Sequence, residues 1–358
     1  MRHPGVRRGL AMEDKSPFEL PRVDVVITCH NYRAYVEDAI RSVTAQTYRN
    51  WYCVIVDDAS TDGSGDHVRQ LLHEIGDPRL SLLARPQNGG QLAGFRDGFA
   101  GGDAPFVAFL DADDIWLPDF LRAHLAAHMN ATRSAALSSS DVFLIDSNRT
   151  VLAGTYVMLR KPRSTSEAVG AQIAPGKPLG GMAPELGSDH PLTYFGPEVY
   201  GWIWAPTSSM VFRRGALEPV LAFPFRTTIG TDYLAATCAH LAAGSLILPE
   251  CLGLYRLHGA NVSTNISFAG GHIAQTQAFK AHQANMGIDV LDYVLANAER
   301  LADAHGRDFI PAFLSRHIEL YHDLTADPRV MPFLERGHRL RRPRKRVTRA
   351  LRRLFGKR

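Results

Sequence analysis

Phe106-Val107-Ala108-Phe109-Leu110-Asp111-Ala112-Asp113-Asp114 is the stretch whose reading decides the fold. Its apolar run is short and unbroken, the pattern of a strand buried on both faces inside a parallel sheet. The acids then fall where that strand leaves the sheet at its carboxyl end, the edge at which open α/β sheets hold ligands. Carboxylates crowded together repel unless protons or a cation join them. A divalent ion shared with a phosphorylated ligand resolves that repulsion, because Mg²⁺-type ions take one or two carboxylates plus phosphate oxygens. Acids at a strand-to-helix junction also cap helices and complement their dipoles, and the stretch alone leaves both readings open. A calcium loop is disfavoured, since its fifth and sixth positions want an oxygen ligand and Gly, and Ile115 and Trp116 stand there.

Upstream, Val23 to Ile27 is a β-branched run and reads as the first strand, with Thr28-Cys29-His30-Asn31-Tyr32 as its exit loop. Val36, Ala39, Ile40 and Val43 recur at helical spacing. Trp51 to Val56 is a second strand and ends in the polar loop Asp57 to Gly63. Val68, Leu71, Leu72 and Ile75 mark another helix, Leu80 to Ala84 a third strand, and Asn88-Gly89-Gly90 a break before a short helix. Strands alternating with helices at these intervals predict an α/β fold with a mostly parallel sheet and helices on its faces. The first strand is not followed by G-x-G-x-x-G, and no P-loop occurs, so neither dinucleotide nor P-loop chemistry is expected.

Downstream, Pro118 suits the first turn of a helix that runs to about Asn130, and Ala136 to Ile145 reads as a strand. Residues 150–200 are rich in Gly, Pro and Ser, with poor periodicity, and read as an insertion that is functional or mobile. Trp202 and Trp204 close it; they suit either stacking on a bound ligand or core packing. Ser208 to Phe212 is strand-like, Thr231 is a candidate N-cap with Asp232 in the first turn, and Leu246 to Leu248 and Leu252 to Arg256 read as two short strands. Residues 270–325 read as helical.

The chain has 358 residues, enough for one sizeable α/β domain with additions or for two domains. None of its four cysteines forms a CxxC pair, so they read as reduced thiols in a cytosolic protein. No apolar run is long enough for a transmembrane helix, and the N-terminus has no signal-peptide pattern. The net charge of +4 conceals a division. Residues 339–358 hold 11 Lys/Arg and no acid; the remainder has 29 basic against 36 acidic residues, a net −7.

The pieces Val25 to Tyr32, Val56 to Gly63, Asn88 to Gly98, Leu110 to Asp119, and the late pair Thr231-Asp232 with Tyr255-Arg256-Leu257-His258 resemble, in order and spacing, the family 2 glycosyltransferases of GT-A fold. The match is strong over 22–130 and weaker to about 265. The resemblance implies an inverting, metal-dependent transfer of a sugar from a nucleotide-diphosphate donor, UDP-linked by preference, to a saccharide or lipid-linked acceptor, in polysaccharide, lipopolysaccharide or glycoconjugate synthesis. It implies that Thr28, His30, Asn31 and Gly90 line the donor site and that Asp58 accepts from the uracil imide N–H. Asp111 would lie near the ribose and metal. Asp113 would coordinate a Mn²⁺ or Mg²⁺ ion, with His258 nearby, and Asp232 would be the general base. Two positions depart from the family pattern. Phe95-Arg96 stands where an Arg-Asn pair is common, and Thr231 precedes the late acid where Glu is common.

The expected organisation is a loose leader over 1–20 and a glycosyltransferase domain over 21–265. That domain divides into a nucleotide-sugar half, 21–130, and an acceptor half, 131–265, that carries the insertion. A helical extension over 266–338 and a basic tail over 339–358 follow. The tail's apolar positions Val347, Ala350, Leu351, Leu354 and Phe355 share one helical face, which suits an anionic membrane at the cytoplasmic side or a solvated segment. No aromatic-bearing basic surface accompanies it, so nucleic acid is not expected as a partner. The rival readings are a nucleotidyltransferase, which would carry a Gly-rich basic loop that Thr28 to Tyr32 lacks, and a non-catalytic module of the same fold, against which Asp111, Asp113 and Asp232 together argue.

Overall fold

A computed structural model describes residues 19–154, 192–227, 230–259, 261, 264–267, 272–275, 277–320 and 327–330. The expected basic tail, most of the leader and the greater part of the insertion lie outside these residues.

The apolar runs become strands where they are β-branched or continuous, and the helically spaced runs become helices. In order they are β1 (Val23–Cys29), α1 (Val36–Thr44), β2 (Trp51–Asp57), α2 (Ser64–Ile75), β3 (Leu80–Ala84), α3 (Gln91–Ala100), β4 (Phe106–Asp111), β5 (Ile115–Trp116), α4 (Phe120–Asn130), β6 (Leu137–Ile145), β7 (Val151–Ala153) and β8 (Thr193–Phe195). β9 (Met210–Arg213), α5 (Arg214–Leu221), α6 (Thr231–Ala243), β10 (Ser245–Arg256), β11 (Thr264–Ser267), β12 (His272–Gln275), α7 (Gln277–Ala296), α8 (Ala298–His305) and α9 (Phe309–Leu320) complete the series.

The main sheet has the order β3-β2-β1-β4-β9-β6-β10-β5. β3, β2, β1 and β4 are mutually parallel, as are β6 and β10, while β9 runs antiparallel between β4 and β6. The chain goes from β1 outward to β2 and β3, then returns to place β4 on β1's other side. This reversal opens a crevice at the carboxyl edge between β1 and β4, where Thr28 pairs with Asp111 in register.

Successive residues of β1 feed opposite apolar layers. Val23, Val25 and Ile27 pack with α1, α2 and α4, and Val26 packs with α3, α5 and α6. α3 lies very close to β1: a Cβ at Gly98 would sit 2.3 Å from Val26 Cγ1, so only glycine fits there. The one acid in β1, Asp24, is buried and accepts from the Ala104 amide and the Arg214 guanidinium at 2.8 and 2.7 Å.

Several elements differ from expectation. Ile115-Trp116 forms β5, which adds antiparallel to β10. α4 starts at Phe120 behind an Asp119 N-cap, so Pro118 lies ahead of the helix. Thr231 is the first residue of α6, and the N-cap is Gly230 at φ 84°, a left-handed position that Thr would resist. The two late strands are one, β10, whose register against β6 slips between Leu248 and Gly253; such bulges bend a strand. The start of the 270–325 stretch holds β12, paired with β11. Cys29, Cys53 and Cys238 are buried free thiols, and Cys251 is half-buried and free.

The C-terminal helices dock through buried histidines. His317 Nε2 donates to the Gly287 carbonyl at 2.7 Å, while Nδ1 faces the Tyr200 hydroxyl. Burial lowers His317 and His240 from 6.5 to about 4. Below pH 6.5 the unfolded chain therefore binds more protons at these sites, and stability falls as the pH drops toward 4, by up to about 1.4 kcal/mol per unit per histidine. His317→Gln is expected to flatten the pH slope of the unfolding free energy between pH 6 and 5 by about 1 kcal/mol per unit. An unchanged slope in denaturant titrations would contradict this.

Candidate active site

β4 carries Asp111 to the sheet edge, where its Oδ1 accepts from Gln91 Nε2 at 2.8 Å and Thr28 Oγ1 at 3.3 Å. Its amide donates to Ser208 Oγ at 3.1 Å. Asp113 and Asp114 follow in the turn and are both buried. His258 Nε2 donates to Asp113 Oδ2 at 2.9 Å. Asp114 Oδ1 accepts from the Arg256 amide at 2.9 Å, and its Oδ2 is buried with no hydrogen-bond partner among the described residues. Burial, then repulsion from Asp113 and Asp232, raises the Asp111 carboxyl to about 7. Burial and its two acidic neighbours hold Asp114 well above the carboxylate range.

This is a site where buried acids crowd together. Among the described residues no three His, Cys, Asp or Glu side chains form a ready-made metal cage. The turn does fit an ion of the kind that takes one or two carboxylates and completes its shell with phosphate oxygens. The buried Asp111 and Asp113 supply the carboxylates, and the mutual repulsion of the cluster is what such an ion would relieve.

The loops after β1 and β2 are locked together. The Asn31 amide donates to Ser60 Oγ at 2.9 Å, and Asn31 Oδ1 accepts from the Thr61 amide at 2.8 Å. Asn31 takes φ 61°, a left-handed value that Asn tolerates. His30 Nδ1 donates to the Asp58 carbonyl at 2.8 Å, and its Nε2 accepts from Asn88 Nδ2 at 3.0 Å. Asp58 accepts from the Gly89 and Gly90 amides at 2.9 and 2.8 Å and from Arg85. It thereby organises the 88–90 turn. Arg96, the displaced arginine, donates to the Leu221 and Phe223 carbonyls at 2.7 and 2.6 Å and ties α3 to the end of α5.

Asp232 sits in the first turn of α6 and is felt electrostatically at Asp111. Trp202 is half-buried and stacks on Tyr233 with centroids 6.1 Å apart. Trp204 is 2% exposed, and its Nε1 donates to Ser245 Oγ at 2.9 Å. Trp204 is thus a core residue, while Trp202 stands beside α6.

Sequence reasoning passed over Arg256, the most connected group here. Its side chain is 1% exposed. Nε donates to the Asp113 carbonyl at 2.8 Å, Nη1 to the Ser147 carbonyl at 3.1 Å and Nη2 to Asp38 Oδ2 at 2.9 Å. The guanidinium lies 4.8 Å from the Tyr35 ring centroid, and Tyr35 stacks on His258 at 5.0 Å. The signal was an arginine ending an apolar strand. A buried guanidinium must find partners, and the acids were the nearest that the chain offered.

The family model described as glycosyl transferase family 2 matches residues 24–179. An uncharacterized glycosyltransferase, alr2836, of Nostoc sp. is 30% identical over 241 residues, 67% of this chain and 66% of that protein. The putative teichuronic acid biosynthesis glycosyltransferase TuaG of Bacillus subtilis is 35% identical over 132 residues, 37% of this chain and 51% of that one. The chain thus spans about half to two thirds of the length of these relatives. The fold is also that of S. aureus TarS 1-349, crystallised in complex with UDP-GlcNAc, with TM-score 0.54, 16% identity, and coverage of 87% of this chain and 78% of that chain.

Removing the buried cation should cost more than removing its half-exposed partner. Arg256→Met is expected to lower the unfolding free energy by about 3 kcal/mol, and Asp38→Asn by about 1 kcal/mol. Equal losses in denaturant titrations would contradict the central place given to Arg256.

Proposed function

We propose that this chain, which belongs to glycosyl transferase family 2, moves a sugar from a nucleotide-diphosphate sugar to a hydroxyl of a saccharide or lipid-linked acceptor, with inversion at the anomeric carbon. The observation that carries this reading is the crowding of Asp111, Asp113 and Asp114 at the β1/β4 crevice, with Asp232 close enough to raise Asp111. A non-catalytic site has no need of so much unbalanced charge.

The donor would lie in the crevice, against Thr28, His30, Asn31 and the Gly90 turn. Uridine is favoured because a carboxylate offers roughly four acceptor sites. Two amides and one guanidinium occupy Asp58, which leaves room for an imide N–H. A fold neighbour crystallised with UDP-GlcNAc supports the same choice. Asp111 and Asp113 would hold a Mn²⁺ or Mg²⁺ ion, which supplies positive charge to the departing diphosphate. His258, bonded to Asp113 and packed on Tyr35, fixes the direction in which Asp113 presents its other oxygen.

Asp232 is the base. It takes the proton of the acceptor hydroxyl as that oxygen bonds to the anomeric carbon. The bond from that carbon to the diphosphate oxygen breaks, and its electron pair leaves with the nucleotide. Attack from the face opposite the leaving group gives inversion through an oxocarbenium-like transition state. Trp202, stacked on Tyr233 next to the base, offers an apolar face to the acceptor sugar. One relative's name refers to teichuronic acid biosynthesis, and we place this chain in polysaccharide or glycoconjugate synthesis. No helix among the described residues is long and apolar enough to cross a membrane.

Titration calorimetry with UDP, with and without Mn²⁺, and UDP release from a panel of sugar nucleotides with water as acceptor test the reading together. Asp113→Asn should remove at least about tenfold of the metal-dependent UDP affinity. Asp232→Asn should keep UDP affinity within about twofold and lower turnover about 100-fold or more. Metal-independent UDP binding in the unaltered protein, or full turnover in Asp232→Asn, would contradict it. Conversion of a sugar nucleotide and added pyrophosphate to UTP and a sugar 1-phosphate, in place of UDP release, would favour a nucleotidyltransferase.

A further inference from the structure

Residues 222–227, which precede the proposed base-bearing helix α6 in the chain, are held by a buried acid from the C-terminal helices. Asp289 in α7 is 2% exposed. Its Oδ1 accepts from the Arg226 amide at 3.2 Å and its Oδ2 from the Thr227 amide at 2.8 Å. The neighbouring positions of α7, Val290, Leu291 and Val294, are buried and apolar. Packing alone would therefore favour an apolar residue at 289. A buried carboxylate is costly unless hydrogen bonds satisfy it, and here each oxygen receives a backbone N–H.

The same segment is clamped on both sides of those bonds. Phe223 and Phe225 pack on the buried Tyr293 of α7 with centroids 5.3 and 6.1 Å apart. Asp292, one turn along from Asp289, takes the Arg226 guanidinium at 2.7 Å and Arg329 at 2.6 Å. Upstream, Arg96 of α3 grips the Leu221 and Phe223 carbonyls. A continuous set of contacts thus runs from α3, in the donor half, through residues 221–227 to α7. The chain then enters α6 at Thr231-Asp232.

We propose that Asp289 is a positioning residue for Asp232. Its carboxylate fixes the segment before α6, so that α7 sets where the base stands relative to the acid turn. This rests on the reading of Asp232 as the base. A general base must come within about 3 Å of the proton that it takes, and a misplacement of about 1 Å can cost about 100-fold in rate. The C-terminal helices, which lie beyond the family match at 24–179, thereby belong to the catalytic unit.

The test uses Asp289→Asn, which keeps the shape but turns an N–H₂ toward one of the two amides. UDP release from UDP-GlcNAc, UDP-glucose and UDP-galactose, with water as acceptor, gives kcat and KM; calorimetry gives UDP affinity. We expect kcat to fall about tenfold or more, with donor KM and UDP affinity within about twofold. Added to Asp232→Asn, the change should cost nothing further, because Asp289 acts through Asp232. In the unaltered protein the Arg226 and Thr227 amides should exchange with solvent at least about 100-fold more slowly than unbonded loop amides. A kcat loss of equal size in both backgrounds, a parallel fall in UDP affinity, or fast exchange at both amides would overturn the inference, and the exchange result decides it if the variant does not fold. Full turnover in Asp232→Asn would remove the base assignment itself. An inactive Asp232→Asn beside a fully active Asp289→Asn would remove this inference alone.

Discussion

Repulsion among carboxylates held out of water is the constraint on which this structure depends. Asp111, Asp113 and Asp114 meet at the end of one buried strand, and Asp232 adds to the same field. Left alone, that cluster would resist folding. It is tolerated because polar groups from distant parts of the chain converge on it: Thr28 and Gln91 on Asp111, His258 on Asp113, and the Arg256 amide on Asp114. These contacts are incomplete. One oxygen of Asp114 has no hydrogen-bond partner among the described residues, and Asp111 is still raised to about 7. A cation arriving with a ligand, as proposed above, would relieve that imbalance.

Sheet architecture explains how those groups converge. The reversal of strand order between β1 and β4 places Thr28 beside Asp111. The register slips in β10 bend its second half, so that Arg256 and His258 reach the acid turn although β9 and β6 separate β10 from β4 in the sheet. β5, directly after the acids, then pairs with the bent part of β10 and closes the turn between them. Arg256 joins these pieces, since its guanidinium contacts α1 through Asp38, the acid turn through the Asp113 carbonyl, and the Ser147 carbonyl beyond β6.

Much of this was legible in the sequence, for identifiable reasons. β1 to β4 and the helices between them were readable because continuous β-branched runs and helical spacing are local signals, and so was the edge at which the acids fall. The failures were non-local. Ile115-Trp116 is too short to carry a strand signal and is a strand only because β10 bends toward it. The break expected between Leu248 and Leu252 is a bulge within one strand. Gly230 outcompetes Thr231 as N-cap because the chain enters α6 through a left-handed turn. The partners of Asp58, the burial of Trp204 against Ser245 and the bonds of Asp289 depend on groups far away in sequence, and no spacing reveals them.

A crystal structure with UDP and Mn²⁺ tests the central claim most directly. The account predicts one ion within about 2.2 Å of an Asp113 oxygen, shared with the diphosphate, in the crevice between β1 and β4. A diphosphate bound there with no ion beside Asp113, or UDP bound away from that crevice, would contradict it.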